Sequence, residues 1–362
     1  HLVTCGSVDD GKSTLIGRLL AETDSVPLDT LEYARRTRRG GSTIAVGEID
    51  YSLLTDGLEA EREQGITIDV AYRHMNLPNG RRVLVADSPG HEQYTRNMAV
   101  AASNGDVAIL MVDAHRGVRD QTHRHLTICA LMGVKTVVIA VNKMDLVGYE
   151  HATFEEIVGT VRTTAARLEV PDVVAIPVSA ALGDNVTHDS ANMPWYKGPN
   201  LLQYLSDWES VEDVTADAPL RFPVQFVVRA EGNFRGYAGT VVAGRVAKGD
   251  PVVIADSGRP AVDERIVPYD LHTDGHIADL DQAEAGQAVT ITLDHEVDVT
   301  RGDVIAGADG DQLQPADRFA VDMVWLGEEP LAHGRSYLLI SGSRSVPATV
   351  TNVRYRQDVV SG

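Results

Sequence analysis

Cysteine is scarce: Cys5 and Cys129 are the only two in 362 residues. A disulfide framework is thereby excluded, and a reducing cytoplasm is the expected setting. No run of about 18 uncharged apolar residues occurs; the longest apolar runs have strand length, so no membrane span is expected. A secretory leader is lacking, although His1 falls inside the first predicted strand, and a preceding segment of the natural chain is expected. Internal repeats and low-complexity tracts are absent too. Positive charge is in short supply, with 32 Lys and Arg against 52 Asp and Glu and a formal charge of -20. The deficit is sharpest from Asp250 to Trp325, which holds 17 acidic and 4 basic side chains. Such a surface repels phosphates, which argues against nucleic-acid binding and reads as a solvated acidic face.

At 43% hydrophobic and 23% charged, the chain can bury a large core in two or three domains. Residues 1–210 alternate apolar strand-length runs with helical patterns. Leu2–Cys5, Arg82–Ala86, Val107–Val112, Thr136–Val141 and Val173–Val178 are the predicted strands; Ser13–Leu20, Phe154–Leu168 and Leu201–Trp208 are predicted helices. This alternation predicts an α/β domain with a mostly parallel sheet covered on both faces. Residues 211–219, within the acidic stretch Glu209–Pro219, read as a linker. From 220 to 314 the pattern changes to short strands between Gly, Asp and Pro: Phe222–Arg229, Gly239–Ala243, Pro251–Ala255, Glu264–Val267 and Ala288–Leu293. That is the pattern of a small antiparallel β-barrel. In 315–362 a further group, Phe319–Trp325, Tyr337–Ile340 and Ala348–Arg354, predicts part of a second barrel, too short to close alone.

Four short motifs follow one another along the first domain. Gly6 to Ser13 reads GSVDDGKS, a phosphate loop between a buried strand and an amphipathic helix. Its glycines let backbone N–H groups approach a phosphate, Lys12 reaches the β and γ oxygens, and the Ser13 hydroxyl ligates magnesium. The helix N-terminus adds its positive end to the same anion. Expected contacts from this loop are Gly6, Ser7, Val8, Asp9, Asp10, Gly11, Lys12, Ser13 and Thr14. Asp9 and Asp10 fall beside the phosphates, and Asp9 either binds a monovalent cation or is a solvated loop acid. Asn142, Lys143 and Asp145 form an Asn-Lys-x-Asp turn at the carboxyl end of a strand, where open α/β sheets bind ligands. The Asp145 carboxylate can accept both the N1–H and the exocyclic amine of guanine, a donor pair that adenine lacks. Asn142 ties the loop together, and the Lys143 stem covers the base.

Between these lie the parts of a switch. Asp87 ends an apolar strand and is placed to hold a magnesium-bound water, while the Gly90 N–H meets the γ-phosphate. The charged stretch Glu59 to Asp69 carries Thr67, a second hydroxyl for the metal; Thr67 alternatively only starts the next strand. The predicted metal set is therefore Ser13, Thr67 and Asp87, and the bound species are GTP or GDP with Mg2+. His91, directly after Asp87-x-x-Gly90, is the candidate for positioning the attacking water; Lys12 and Thr67 complete the catalytic set. His123 and His125 fall on different faces of a helix and read as structural.

Taken together these residues resemble the translation-factor class of GTPases. The segment Gly65 to Ile68, the run Asp87 to His91 and the following barrel carry that likeness. So does Ser179, Ala180, Ala181 and Leu182, which by the resemblance is the loop whose backbone N–H meets the guanine oxygen. Within the class, the chain is similar to the GTPase subunit of sulfate adenylyltransferase, the large subunit of bacterial ATP sulfurylase. Gly6–Leu20, Asp56–Arg73, Pro194–Pro199 and Phe234–Thr240 carry this likeness. Elongation factors typically have His or Ser where Asp10 stands and Arg where Gln64 stands.

The resemblance spans essentially the whole chain and departs at its ends, where the family's N-terminal extension and most of its third domain are missing. It implies a heteromer with a smaller catalytic subunit that transfers adenylyl from ATP to sulfate. That reaction is uphill, and GTP hydrolysis would drive it. In some bacteria an adenylylsulfate kinase is fused or associated. The competing reading is an elongation factor delivering aminoacyl-tRNA, which the acidity of the second domain opposes.

Overall fold

Leu2–Cys5, four consecutive buried residues, form β1 in the middle of a six-stranded sheet. The structure is a computed structural model and describes residues 1–37, 48–55, 67–209, 218–230, 234–268, 279–308, 313–314 and 316–356. The other strands of this sheet are β2 (Ala71–Asn76), β3 (Arg82–Asp87), β4 (Val107–Asp113), β5 (Thr136–Asn142) and β6 (Asp172–Pro177). Their order is β2-β3-β1-β4-β5-β6, and all neighbours run parallel except β2 with β3. All seven residues of β4 and all seven of β5 are buried, as they must be in strands covered on both faces.

The covering helices are α1 (Lys12–Glu22), α2 (Leu28–Arg36), α3 (Thr95–Ala102), α4 (Asp120–Leu131), α5 (His151–Arg167) and α6 (Leu201–Asp207). Period-two alternation divides each strand between two cores. Leu110, Val112, Val137 and Ile139 pack with Met98, Leu126, Phe154 and Ile157 of α3, α4 and α5. Ile109, Met111, Val138 and Ala140 pack with Leu15, Ile16 and Leu19 of α1 and Leu201 and Leu205 of α6. In α1 the apolar residues fall at 15, 16, 19 and 20, one stripe of a 3.6-residue period, and all four are buried. Emptying one such position, Leu19→Ala, costs about 3 kcal/mol by analogy with other packed cores. The chain folds as two units: His1–Val211 with Asp322–Leu326 and Arg356–Gly362, and Glu212–Val321 with Gly327–Tyr355.

The second unit holds a closed antiparallel barrel. It is built from β7 (Arg221–Ala230), β8 (Phe234–Thr240), β10 (Pro251–Ile254), β11 (Arg259–Pro268), β13 (Ala288–Leu293) and β14 (Val304–Gly307), in the order β10-β11-β13-β8-β7-β14. Two short strands, β9 (Arg245–Ala247) and β12 (Gln282–Glu284), pair separately. Phe222, Val224, Tyr237, Val252, Ile254, Ile266, Ile291 and Ile305 fill the interior. Asp263 is buried beside them, where β11 bulges between Asp263 and Arg265, and among the described residues neither carboxylate oxygen has a hydrogen bond of good geometry. Burial and the nearby Asp250 carboxylate push its carboxyl up to about 7.

Three predicted strands change. Gly239–Ala243 gives way to β8 at Phe234–Thr240, because pairing with β7 and β13 decides the matter over local composition. Ala348–Arg354 shifts to β16 (Arg344–Thr349), paired with β15 (Ser336–Ser341). The two-residue turn at Gly342 and Ser343, with Gly342 at φ 55, fixes that register. Phe319–Trp325 is not a strand: it joins no β-ladder among the described residues, and Phe319 and Val321 are exposed. The strand β2 escapes the sequence reading, because one face of this edge strand is polar and exposed. The stretch Glu59–Ile66, with Gln64, and most of the 211–219 linker lie outside the described residues. Among the described residues no helix is long and apolar enough to cross a membrane.

Candidate nucleotide site

The phosphate loop leaves the carboxyl end of β1 and enters α1 with its backbone shaped by specific partners. Ser7 N–H donates to Asp10 Oδ2 at 2.6 Å, and burial raises the Asp10 carboxyl above its ordinary value. Gly11 sits at φ 94, and a Cβ there would lie 2.3 Å from the Asn142 side-chain nitrogen. No other residue fits that place. Lys12 is buried, its ammonium donating to the carbonyls of Gly6 at 2.9 Å and Ser7 at 2.8 Å. Burial pulls its pKa below the usual lysine value against the opposing charges of Asp87 and Asp10. Val8 is half-buried and Asp9 exposed at φ 69, with the Arg116 guanidinium 3.5 Å from the Asp9 carboxylate. Ser13 and Thr14 open α1 at the loop's mouth.

Asp87, the last residue of β3, is buried; Thr4 Oγ1 donates to its Oδ1 at 3.3 Å, and Ser13 Oγ lies 3.5 Å from its Oδ2. Gly90 is pressed onto the phosphate loop: a Cβ on it would come within 2.5 Å of Lys12 Nζ and 2.8 Å of Gly6 O. Ser13, Asp87 and Gly90 thus converge on one spot. A hydroxyl and a carboxylate are hard oxygen donors of the kind that suit magnesium with phosphates and waters. Thr67 is half-buried at the edge of the described residues, and the next residue's carbonyl, Ile68 O, accepts from Asn97 Nδ2 at 2.9 Å. His91 is exposed, and its Nδ1 accepts the Gln93 N–H at 3.3 Å, capping its own turn.

The base loop follows β5. Asn142 is a clamp: its Nδ2 donates to Asp10 O at 2.7 Å, and its Oδ1 accepts the Ala180 N–H at 2.9 Å. Lys143, at φ 62, donates to Asp113 Oδ2 at 2.7 Å. Burial would raise the Asp113 carboxyl, but this hydrogen bond and charge, with the N–H groups of His115 and Arg116, hold it below its ordinary value. Ser179 Oγ donates to Asp145 Oδ1 at 2.6 Å. With Ala180 N–H taken by Asn142, the Ala181 N–H has no partner among the described residues.

Three residues of this assembly escape motif reading. Arg18 lies on the apolar stripe of α1, yet it is buried, with Nε on Ala180 O at 2.7 Å, Nη2 on Ala181 O, and its guanidinium 4.3 Å over the Tyr51 ring. A lone arginine amid Leu15, Ile16, Leu19 and Leu20 is the available signal. Asp113 and His125 give none, since their partners are remote in sequence; His125 Nδ1 accepts the Gly6 N–H at 2.9 Å. Among the described residues no cluster of three His, Cys, Asp or Glu could hold a metal.

Comparison with known proteins agrees with this geometry. A family model of the elongation factor Tu GTP binding domain matches residues 1–216. The bifunctional enzyme NodQ of Azospirillum brasilense is 52% identical over 359 residues, covering 99% of this chain and 56% of that protein. Sulfate adenylyltransferase subunit 1 of Cronobacter sakazakii is 48% identical over 362 residues, covering 99% of this chain and 74% of that protein. The chain spans about half the length of the bifunctional relatives it matches. Among solved structures, the S. cerevisiae Ski7 GTPase-like domain bound to GDP and inorganic phosphate is 16% identical. It superposes at a TM-score of 0.52 over 99% of this chain and 86% of that one, a likeness of fold. With the family model over more than half of the chain and a 48% identical relative matched over 74% of its length, the chain belongs to the elongation factor Tu type of GTP-binding proteins and, within it, to the sulfate adenylyltransferase subunit 1 family.

Proposed function

We propose that this chain is the GTPase part of a sulfate adenylyltransferase, coupling GTP hydrolysis to formation of adenylylsulfate from ATP and sulfate on a smaller partner subunit. Residues 1–210 serve as the GTP-binding domain, 211–219 as linker, 220–314 as the barrel, and 315–362 as the beginning of a second barrel. The observation that carries the reading is the Asn142 clamp, which joins Asp10 of the phosphate loop to Ala180 of the base loop. It sets phosphate and base contacts at one separation, that of a single nucleotide. The names of the relatives support the rest: subunit 1 for the heteromer, and the bifunctional CysN/CysC relative in Xylella fastidiosa for a second activity on one chain, which in this reading is a fused or associated adenylylsulfate kinase. The elongation-factor reading rests on the GTP binding domain that the family model matches and on a likeness of fold. The cytoplasm is the setting of this reading, consistent with Cys5 and Cys129 as free thiols.

The chemistry is positioning more than covalent catalysis. Asp145 accepts both guanine donors, and the Ala181 N–H meets the base oxygen. Lys12 donates to the β and γ oxygens, with Gly90 N–H on the γ-phosphate. Ser13, Thr67 and Asp87 would hold magnesium, which when bound neutralises charge on the phosphate oxygens. His91 orients the attacking water. Departure of the γ-phosphate releases Gly90 and Thr67, and this segment reports the nucleotide state to the partner.

The test reconstitutes the chain with its small catalytic subunit and follows adenylylsulfate and inorganic phosphate together. GTP is expected to raise adenylylsulfate formation, and a non-hydrolysable analogue is expected not to sustain it. No GTP effect, together with GTP-dependent binding of aminoacyl-tRNA, replaces this reading with the elongation-factor one.

A further inference from the structure

Asp9 and Asp10 put two carboxylates into a loop built to hold a polyanion. Asp10 turns inward: it is buried, and its Oδ2 accepts the Ser7 N–H at 2.6 Å. Asp9 turns outward, with its backbone at φ 69 and its side chain 65% exposed. The one ion pair it makes among the described residues is with Arg116, whose Nη1 lies 3.5 Å from Asp9 Oδ2.

Arg116 is held in this place by the turn that follows β4. Its N–H donates to Asp113 O at 3.1 Å, the Gly117 N–H donates to the same carbonyl at 2.8 Å, and Gly117 closes the turn at φ 70. The Arg116 Nε stands 3.8 Å from Asp113 Oδ2, the atom that also accepts from Lys143 Nζ at 2.7 Å. Charges of opposite sign therefore alternate from the phosphate loop to the base loop: Asp9, Arg116, Asp113, Lys143. A carboxylate on either side fixes the guanidinium. An exposed pair of this kind adds little to folding stability, so its consequence lies in the field at the phosphates.

We propose that Arg116 is the built-in counter-cation of the phosphate loop, a positioning residue that neutralises and orients Asp9 so that GTP hydrolysis needs no monovalent metal ion at this carboxylate. The sequence leaves Asp9 between a cation ligand and a solvated acid. The structure adds a third state, in which a side chain of the same protein supplies the positive charge. A free potassium ion competes for Asp9 against a guanidinium that is tethered beside it, and tethering gives the guanidinium the higher effective concentration. Phosphoryl transfer is governed by positioning and electrostatics, so an uncompensated carboxylate in this loop slows it. The inference rests on the nucleotide reading above.

Single-turnover GTP hydrolysis by the full chain, followed with magnesium in potassium chloride and in choline chloride, tests it. Equal ionic strength holds screening constant, and choline is too bulky to take the place of the guanidinium. The unaltered chain should hydrolyse GTP at the same rate in both salts. Arg116→Ala should slow hydrolysis about 10-fold in choline, the effect of about one charged partner lost, and potassium should restore most of the rate. Arg116→Lys keeps a tethered cation and should remain indifferent to the salt. Asp9→Asn combined with Arg116→Ala should be indifferent too, because the charge to be neutralised is gone. A role for Arg116 in holding the loop's shape alone leaves the Arg116→Ala defect equal in both salts. That result, a potassium requirement in the unaltered chain, or no effect of Arg116→Ala overturns the proposal while the nucleotide reading stands. Failure of the unaltered chain to bind GDP sinks both.

Discussion

Ser179 Oγ donates to Asp145 Oδ1 at 2.6 Å, so the carboxylate that the proposed function sets against the base is held by the neighbouring loop. A preoriented carboxylate loses little freedom on binding, which favours both affinity and discrimination. Asp145→Asn should weaken GTP and GDP binding by orders of magnitude and admit xanthine nucleotides, because an acceptor becomes a donor at one edge. Titration of the chain with GTP, XTP and ATP reads this directly. Equal affinity of the unaltered chain for ATP and GTP contradicts it.

Arg18 braces the same loop from behind through the carbonyls of Ala180 and Ala181. Arg18→Ala leaves two carbonyls short of a charged donor and should cost on the order of 2 kcal/mol of stability. GDP affinity should fall as well, since the Ala181 N–H shares its peptide plane with the Ala180 carbonyl. Thermal unfolding and GDP titration on one preparation check both effects; unchanged affinity removes Arg18 from the site.

For His91 the expected signature is kinetic. His91→Ala should leave GDP affinity within about twofold while slowing partner-stimulated hydrolysis about 100-fold, because water positioning is used chiefly in the transition state. Phosphate release under single-turnover conditions separates the two. Full turnover in the variant moves the role to another residue.

Asp263 makes the barrel sensitive to pH. Its folded pKa is raised to about 7, and Asp250, Glu264 and Lys248 are the charged groups that act on it. Between the unfolded carboxyl value near 4 and pH 7 the folded chain keeps a proton that the unfolded chain has lost. Stability therefore falls as pH rises through this window and levels off above it. The loss from this group between pH 5 and pH 8 is about 3 kcal/mol. Asp263→Asn should flatten the profile, measured as the difference in barrel unfolding between variant and unaltered chain; identical slopes contradict the assignment.

The sequence by itself determined five of the six sheet strands, all but the half-polar edge strand β2, and the order of the nucleotide motifs. Fully buried strands read as unbroken apolar runs, as in Val107–Asp113, and phosphate or guanine chemistry demands particular residues at fixed local spacing. It also determined the barrel's alternation of short strands and turns. Local spacing could not reveal that Phe234–Thr240 is a strand, since its glycines pair only because β7 and β13 flank them. Nor could it reveal the partners of Asn142, Arg18 and His125, which lie 132, 162 and 119 positions away along the chain. Hydrogen bonds between such remote residues exist only once the sheet brings the ends of its strands together. For the same reason His125 reads as a structural core histidine in the sequence, and as the acceptor for the first phosphate-loop amide in the fold.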